Sequence, residues 1–167
     1  GDIVMWANSG YNVTTSNMFT VRTHHTAIYA GDGYIIEASG FTSGIRKIKR
    51  KLDDQVFFFR IKELIDEDNK VGEQPPKDDN DNPGYAKTVR DKICAKAKEI
   101  CDLHQVKKQA TYCGSYAIYD DSKRYRAPGT INGIKNPYCY VCSSLSSCAY
   151  KHAGLSSVTG ASNSNCN

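Results

Sequence analysis

No stretch of this 167-residue sequence is apolar for anything near the roughly 18 residues of a membrane-crossing helix, so no segment reads as a membrane span. No internal repeat is evident, which argues against solenoid and propeller architectures. Basic and aromatic residues are nowhere interleaved along a groove-like stretch, so nucleic acid is not an expected partner. Close cysteine pairs are also scarce: Cys139-x-x-Cys142 stands alone. A structural zinc site wants a second such pair, and a redox pair usually follows a strand in a βαβ unit, which the pattern does not offer. Asp78-x-Asn80-x-Asn82 opens like a calcium loop, but it lacks the glycine at the sixth position and the glutamate at the twelfth. The sequence therefore calls for no metal and no cofactor.

What is present is ordinary in bulk: 40% apolar and 24% charged residues, enough for one globular domain with its own core. The formal charge is +4, much of it from Arg46, Lys47, Lys49, Arg50 and Lys51. That cluster reads first as a solvated strand edge that resists aggregation. The alternative is a surface for an anionic polymer such as wall glycan. The seven cysteines leave at least one thiol unpaired, with room for up to three disulfides whose pairing the sequence does not supply.

Along the chain, strands are expected at Ile3–Trp6, Thr26–Tyr29, Tyr34–Ala38, Gly44–Lys51 and Gln55–Ile61. The Gly31-Asp32-Gly33 turn joins the second to the third. Val56-Phe57-Phe58-Phe59 reads as a buried-strand run. Residues 63–84 are acidic and hold Pro75, Pro76 and Pro83, as a mobile loop would. A helix over 85–104 follows from the spacing of Val89, Ile93, Ala97, Ile100 and His104, with His104 a core-edge histidine. Residues 105–137 read as irregular structure covering a cleft. A second helix starts near Cys142, with Leu145, Cys148, Ala149 and His152 as its apolar face and Gly154 as its stop. The Ser/Asn/Gly-rich tail 156–167 reads as a linker, so 1–155 is the domain and the chain is expected to be a piece of a longer one, probing as a monomeric module.

Cys142 falls at a helix start, where unpaired N–H groups and the positive dipole end favour a thiolate. The N–H groups there, at Cys142 and Ser143, suit an oxyanion. A thiol nucleophile needs a base that is itself oriented. If the hairpin has a three-residue loop, residue 27 faces 37, and His25 and Glu37 share a face one diagonal apart. His24 is the nearest competitor for the base. Cys148, on the apolar face, reads as an inert buried cysteine.

The segments Gly1-Asp2-Ile3-Val4 and His25-Thr26-Ala27-Ile28-Tyr29-Ala30-Gly31-Asp32-Gly33-Tyr34-Ile35-Ile36-Glu37-Ala38 resemble those of NlpC-type papain-like cell-wall cysteine peptidases. Cys142-Ser143-Ser144-Leu145, with Ala149-Tyr150 and Gly154, looks like their nucleophile helix. In most of that family the cysteine precedes the histidine, whereas here it follows. The chain is thus similar to the circularly permuted branch, in which a glutamate commonly takes the third position. Ser144 and Ser146 depart from the glycine and valine common there. The resemblance implies an α+β, papain-like fold with a small antiparallel sheet against the nucleophile helix. It further implies a Cys142–His25–Glu37 triad with no cofactor, acting on peptidoglycan stem peptide outside the cell, at the wall or in a phage particle. Amidase action at the glycan–peptide link, or acyl transfer or hydrolysis on lipid, are the alternatives it carries.

Overall fold

A computed structural model describes residues 1–14, 20–50, 56–59 and 83–155. Residues 63–82 of the expected acidic loop, with Asp78-x-Asn80-x-Asn82, the tail 156–167 and the outer ends of the fifth expected strand lie outside the described residues, while Pro83 and Gly84, expected in that loop, open a helix instead. The chain is α+β, with a five-stranded antiparallel sheet and two α-helices.

The strands are β1 (Ile3–Thr14), β2 (Thr20–Gly31), β3 (Tyr34–Ala38), β4 (Ile45–Lys49) and β5 (Val56–Phe59), in the spatial order β4-β3-β2-β1-β5. Every neighbouring pair in the sheet is antiparallel. β1 and β2 run well past their expected ends, because the strand-favouring residues Tyr11, Val13, Thr20 and Val21 extend the pairing. Alternation divides the side chains between two faces. Ile3, Ile28, Ile36, Ala38 and Ile45 join the main core, while Val4, Trp6, Ala27 and Ile35 gather in a second cluster. The Val56–Phe59 run is not buried as expected. As an edge strand it pairs only with β1, its residues are half-covered, and Phe58 is exposed, its ring edge-on to Tyr29.

Helix α1 (Pro83–Gln105) lays Val89, Ile93, Ala97 and Ile100 into the main core, all of them buried. This is the stripe its sequence spacing requires. His104 ends the stripe half-buried, its Nδ1 bonded to the Ala110 carbonyl oxygen at 2.8 Å. The helix comes so close to the sheet's edge that a Cβ on Gly44, at φ +62°, would lie 2.1 Å from His104 Nε2.

Helix α2 (Cys142–His152) is enclosed on nearly all sides, with Ser144 to Tyr150 buried. Leu145, Cys148 and Ala149 face the core as expected, but His152 is exposed. The last turn still gives Tyr150 and Ala153 to the core, and His152 lies on the side turned to solvent.

Residues 105–137 carry more order than their weak periodicity suggests. Strand β6 (Ala110–Tyr112) pairs in parallel with β9 (Tyr138–Tyr140), and β7 (Thr130–Ile131) forms a hairpin with β8 (Ile134–Lys135). The hairpin turns on Asn132-Gly133, both at positive φ, the pair that a two-residue turn of this hand demands. Asn132 Nδ2 donates to Thr111 Oγ1 and to the Tyr112 carbonyl, so the hairpin is tied to β6. Among the described residues no helix is long and apolar enough to cross a membrane.

Candidate active site

β9 leads through Val141 directly into α2, and this strand-to-helix turn presents Cys142 as the first helical residue. Val141 is the N-cap and has no side-chain oxygen to offer, so no side-chain cap competes for the N–H groups of the first turn. Ser144 turns back instead, its Oγ accepting from the Val141 N–H at 2.9 Å. The helix start is thereby fixed while its positive end stays directed at the Cys142 sulfur.

His25 comes from β2, directly opposite Trp6 on β1. The ladder is irregular immediately beyond, where Ala7 pairs with Thr23 and His24 becomes an extra residue. Such bulges re-aim side chains. Here His24 is left exposed and His25 is half-buried, its ring centre 5.2 Å from that of Trp6.

Glu37 comes from β3. Ile28 faces Ile36, which sets Ala27 against Glu37 and leaves His25 and Glu37 on one face, the arrangement the hairpin register implies. His25 Nε2 lies 2.7 Å from Glu37 Oε2, and the carboxylate has no exposed surface. With Nε2 engaged, Nδ1 is the ring nitrogen left for Cys142, whose thiol is within hydrogen-bonding reach of the imidazole.

The three groups shift one another in opposite directions. Burial would keep the Cys142 thiol protonated, but His25 and then the backbone N–H groups of Thr26 and Ser143 outweigh it and bring the thiol below its ordinary value. Burial likewise pushes the His25 imidazole down, yet Cys142 and then Glu37 raise it to about 9. For Glu37 burial raises the carboxyl, and His25 and then Arg46 hold it below its ordinary range. These directions all favour the charged forms, thiolate, imidazolium and carboxylate, in a row. Chemically, such a row can serve as a nucleophile, a proton carrier and its anchor.

The remaining cysteines differ in kind. Burial, then Asp121 and Asp120, push the Cys148 thiol up to about 12, and its Sγ meets the Ile118 carbonyl at 3.0 Å. Cys139 is buried beside Cys113 and Ala127, and its thiol is pushed to about 12 by burial and then by Cys113. Cys139 and Cys142 therefore occupy different surroundings despite their spacing. Six cysteines, from Cys94 to Cys148, are free thiols, so the disulfides for which the cysteine count leaves room are absent among the described residues. Most of them are core residues, packed as small apolar groups rather than placed as cross-links. Among the described residues no three His, Cys, Asp or Glu side chains group as metal ligands.

Sequence reasoning missed three neighbours of the site. Arg46 stands directly across the β3–β4 ladder from Glu37 and bonds its Oε1 through Nε at 2.8 Å and Nη2 at 2.7 Å. Arg50 reaches Oε2 at 3.5 Å, and its guanidinium lies 4.6 Å from the centre of the Trp6 ring. The reading of the basic cluster as wholly solvated edge fails at these two residues. Lys47 and Lys49 fit it better, as both are exposed and lie over Tyr34. Tyr119, from the stretch without periodicity, brings its hydroxyl to 3.5 Å from Ser143 Oγ. The open depression lined by Asp120, Asp121, Ser122, Lys151, His152 and Gly154 lies at the other end of α2.

No protein-family model, curated protein or solved structure matches this chain.

Proposed function

We propose that this chain is a cysteine hydrolase that cuts an amide bond in the stem peptide of bacterial peptidoglycan, acting at the wall from outside the cell or from a phage particle. The observation that carries the chemistry is the continuous line Cys142–His25–Glu37, a thiol shifted down beside an imidazole shifted up. The Cys142 thiolate attacks the amide carbonyl carbon. The oxyanion that forms is held by N–H groups at the start of α2, at Cys142 and Ser143. The His25 imidazolium gives its proton to the leaving amine, and a thioester remains on Cys142. Water, deprotonated by His25, then attacks the thioester, releasing the acid and restoring the thiol.

Two features support a papain-like fold in permuted order: a nucleophile at the N-terminus of a helix packed on an antiparallel sheet, and a histidine strand that precedes it in sequence. The substrate class rests on the likeness of the histidine and cysteine segments to NlpC-type peptidases.

Mass spectrometry of purified peptidoglycan after digestion tests the proposal. The expected product is a stem peptide cut internally, with a new amino terminus. Free whole stem peptides would indicate an amidase at the glycan–peptide link instead. Cys142→Ala should lose turnover on the order of 10⁶-fold, the scale seen when a hydrolase loses its nucleophile, while keeping its circular dichroism spectrum. Wall lysis undiminished in that variant would remove Cys142 from the chemistry.

A further inference from the structure

A buried carboxylate ordinarily gives up its charge unless something compensates for the water it has lost. Glu37 has no exposed surface, and His25 engages only one of its oxygens. The other oxygen takes both Nε and Nη2 of Arg46, from directly across the ladder. Arg50 lies farther off, at 3.5 Å from the oxygen His25 uses, and is more exposed than Arg46.

We propose that Arg46, seconded by Arg50, is a positioning residue that sets the pH range over which Cys142 and His25 form their ion pair, acting through Glu37. This rests on the reading of Cys142 and His25 as the reacting pair. The charge balance gives the reason. Thiolate, imidazolium, carboxylate and the Arg46 guanidinium sum to zero in a largely enclosed space. Without Arg46 the same three groups carry one net negative charge and take up a proton more readily. Among the described residues, the charged groups on the imidazole side of the sheet include Glu37 from β3, Cys142 from α2, Arg46 from β4 and Arg50 just beyond it. Trp6 from β1 contributes an uncharged ring. Arg46 also fixes the carboxylate in place, so that the His25 ring keeps one orientation.

The test is the pH dependence of Cys142 alkylation by iodoacetamide, followed by peptide mass spectrometry. It reads the thiolate without requiring turnover. In Arg46→Gln the rise of reactivity with pH should move upward by about one to two pH units. That is the order expected for one charge removed several ångströms away under an effective dielectric of about 20. Arg46→Lys, which keeps the charge and loses the fork, should stay within a few tenths of a unit of wild type, by the same dependence on charge. An unmoved profile in folded Arg46→Gln overturns the proposal, since a merely structural arginine would change stability and leave the profile alone. Should Arg46→Gln not fold, Arg50→Gln decides. A smaller upward shift supports the proposal and an unchanged profile overturns it. Wild-type Cys142 that is no more reactive than Cys148 would sink the assignment of the nucleophile and this proposal with it.

Discussion

Glu37 engages the His25 ring through Nε2, and in the proposed reaction it orients the imidazole without itself donating or accepting the proton that moves. Replacing it by glutamine keeps the shape and removes the charge. The amide can also present its N–H₂ to Nε2, which favours the wrong imidazole tautomer. Glu37→Gln is expected to retain Cys142 and the fold while lowering single-turnover cleavage by about 10² to 10⁴-fold. The upper figure is that for the analogous change in a serine triad, and the lower allows for a thiol that ionises more easily. Single-turnover assays beside His25→Ala check this, and wild-type rates in Glu37→Gln would place the third member elsewhere. The meeting of these three side chains was legible in the sequence through local pattern together with the likeness of their segments to those of NlpC-type peptidases. Strand alternation and one turn relate His25 to Glu37, and the switch from strand to helical spacing marks Cys142. Arg46 was not legible, because its place opposite Glu37 depends on the path of the connection from Ser39 to Gly44.

Among the elements, α1 and the β2–β3 hairpin were the most readable, since a long apolar stripe and a glycine turn leave few alternatives. The β7–β8 hairpin had a usable signal, Asn132-Gly133 between two isoleucines, but its strands are too short to show alternation. The pairing of β6 with β9 was out of reach, because parallel neighbours separated by a long connection leave no local mark. The seam between α1 and the sheet's edge gives a sharp test. Gly44→Ala would place a methyl against the His104 ring at a positive φ. A left-handed residue with a Cβ costs about 1–2 kcal/mol and overpacking typically about 1–3 more. The urea midpoint should fall accordingly, and an unchanged midpoint would mean that α1 and β4 are not in such close contact.

For the molecule as a whole, the His25 shift links stability to pH. The imidazole binds its proton more tightly folded, at about 9, than at its ordinary 6.5. Its contribution is therefore fully present below pH 6.5 and is lost as the pH rises through about 9. The excess in thermal midpoint of wild type over His25→Gln should be largest below pH 6.5 and narrow as the pH passes about 9. Melting curves of both proteins across that range check the sign. A gap that widens with pH would mean that His25 is neutral in the fold. Activity should fall on its alkaline side over the same interval, as the imidazolium loses the proton it must deliver.

The order of the site along the chain has a consequence in time. His25 and Glu37 meet across a short hairpin, a contact that closes little chain, whereas Cys142 reaches them from the far end of the domain. Closing that large loop is the entropically slow step. During synthesis the base and its anchor emerge early, and the thiol emerges only after nearly all of the domain has been made. A half-made chain thus holds His25 and Glu37 without a thiol beside them, and the proposed triad is complete only when β9 has docked on β6 and delivered the start of α2. For the hydrolase proposed, synthesis would pass through no partly active form.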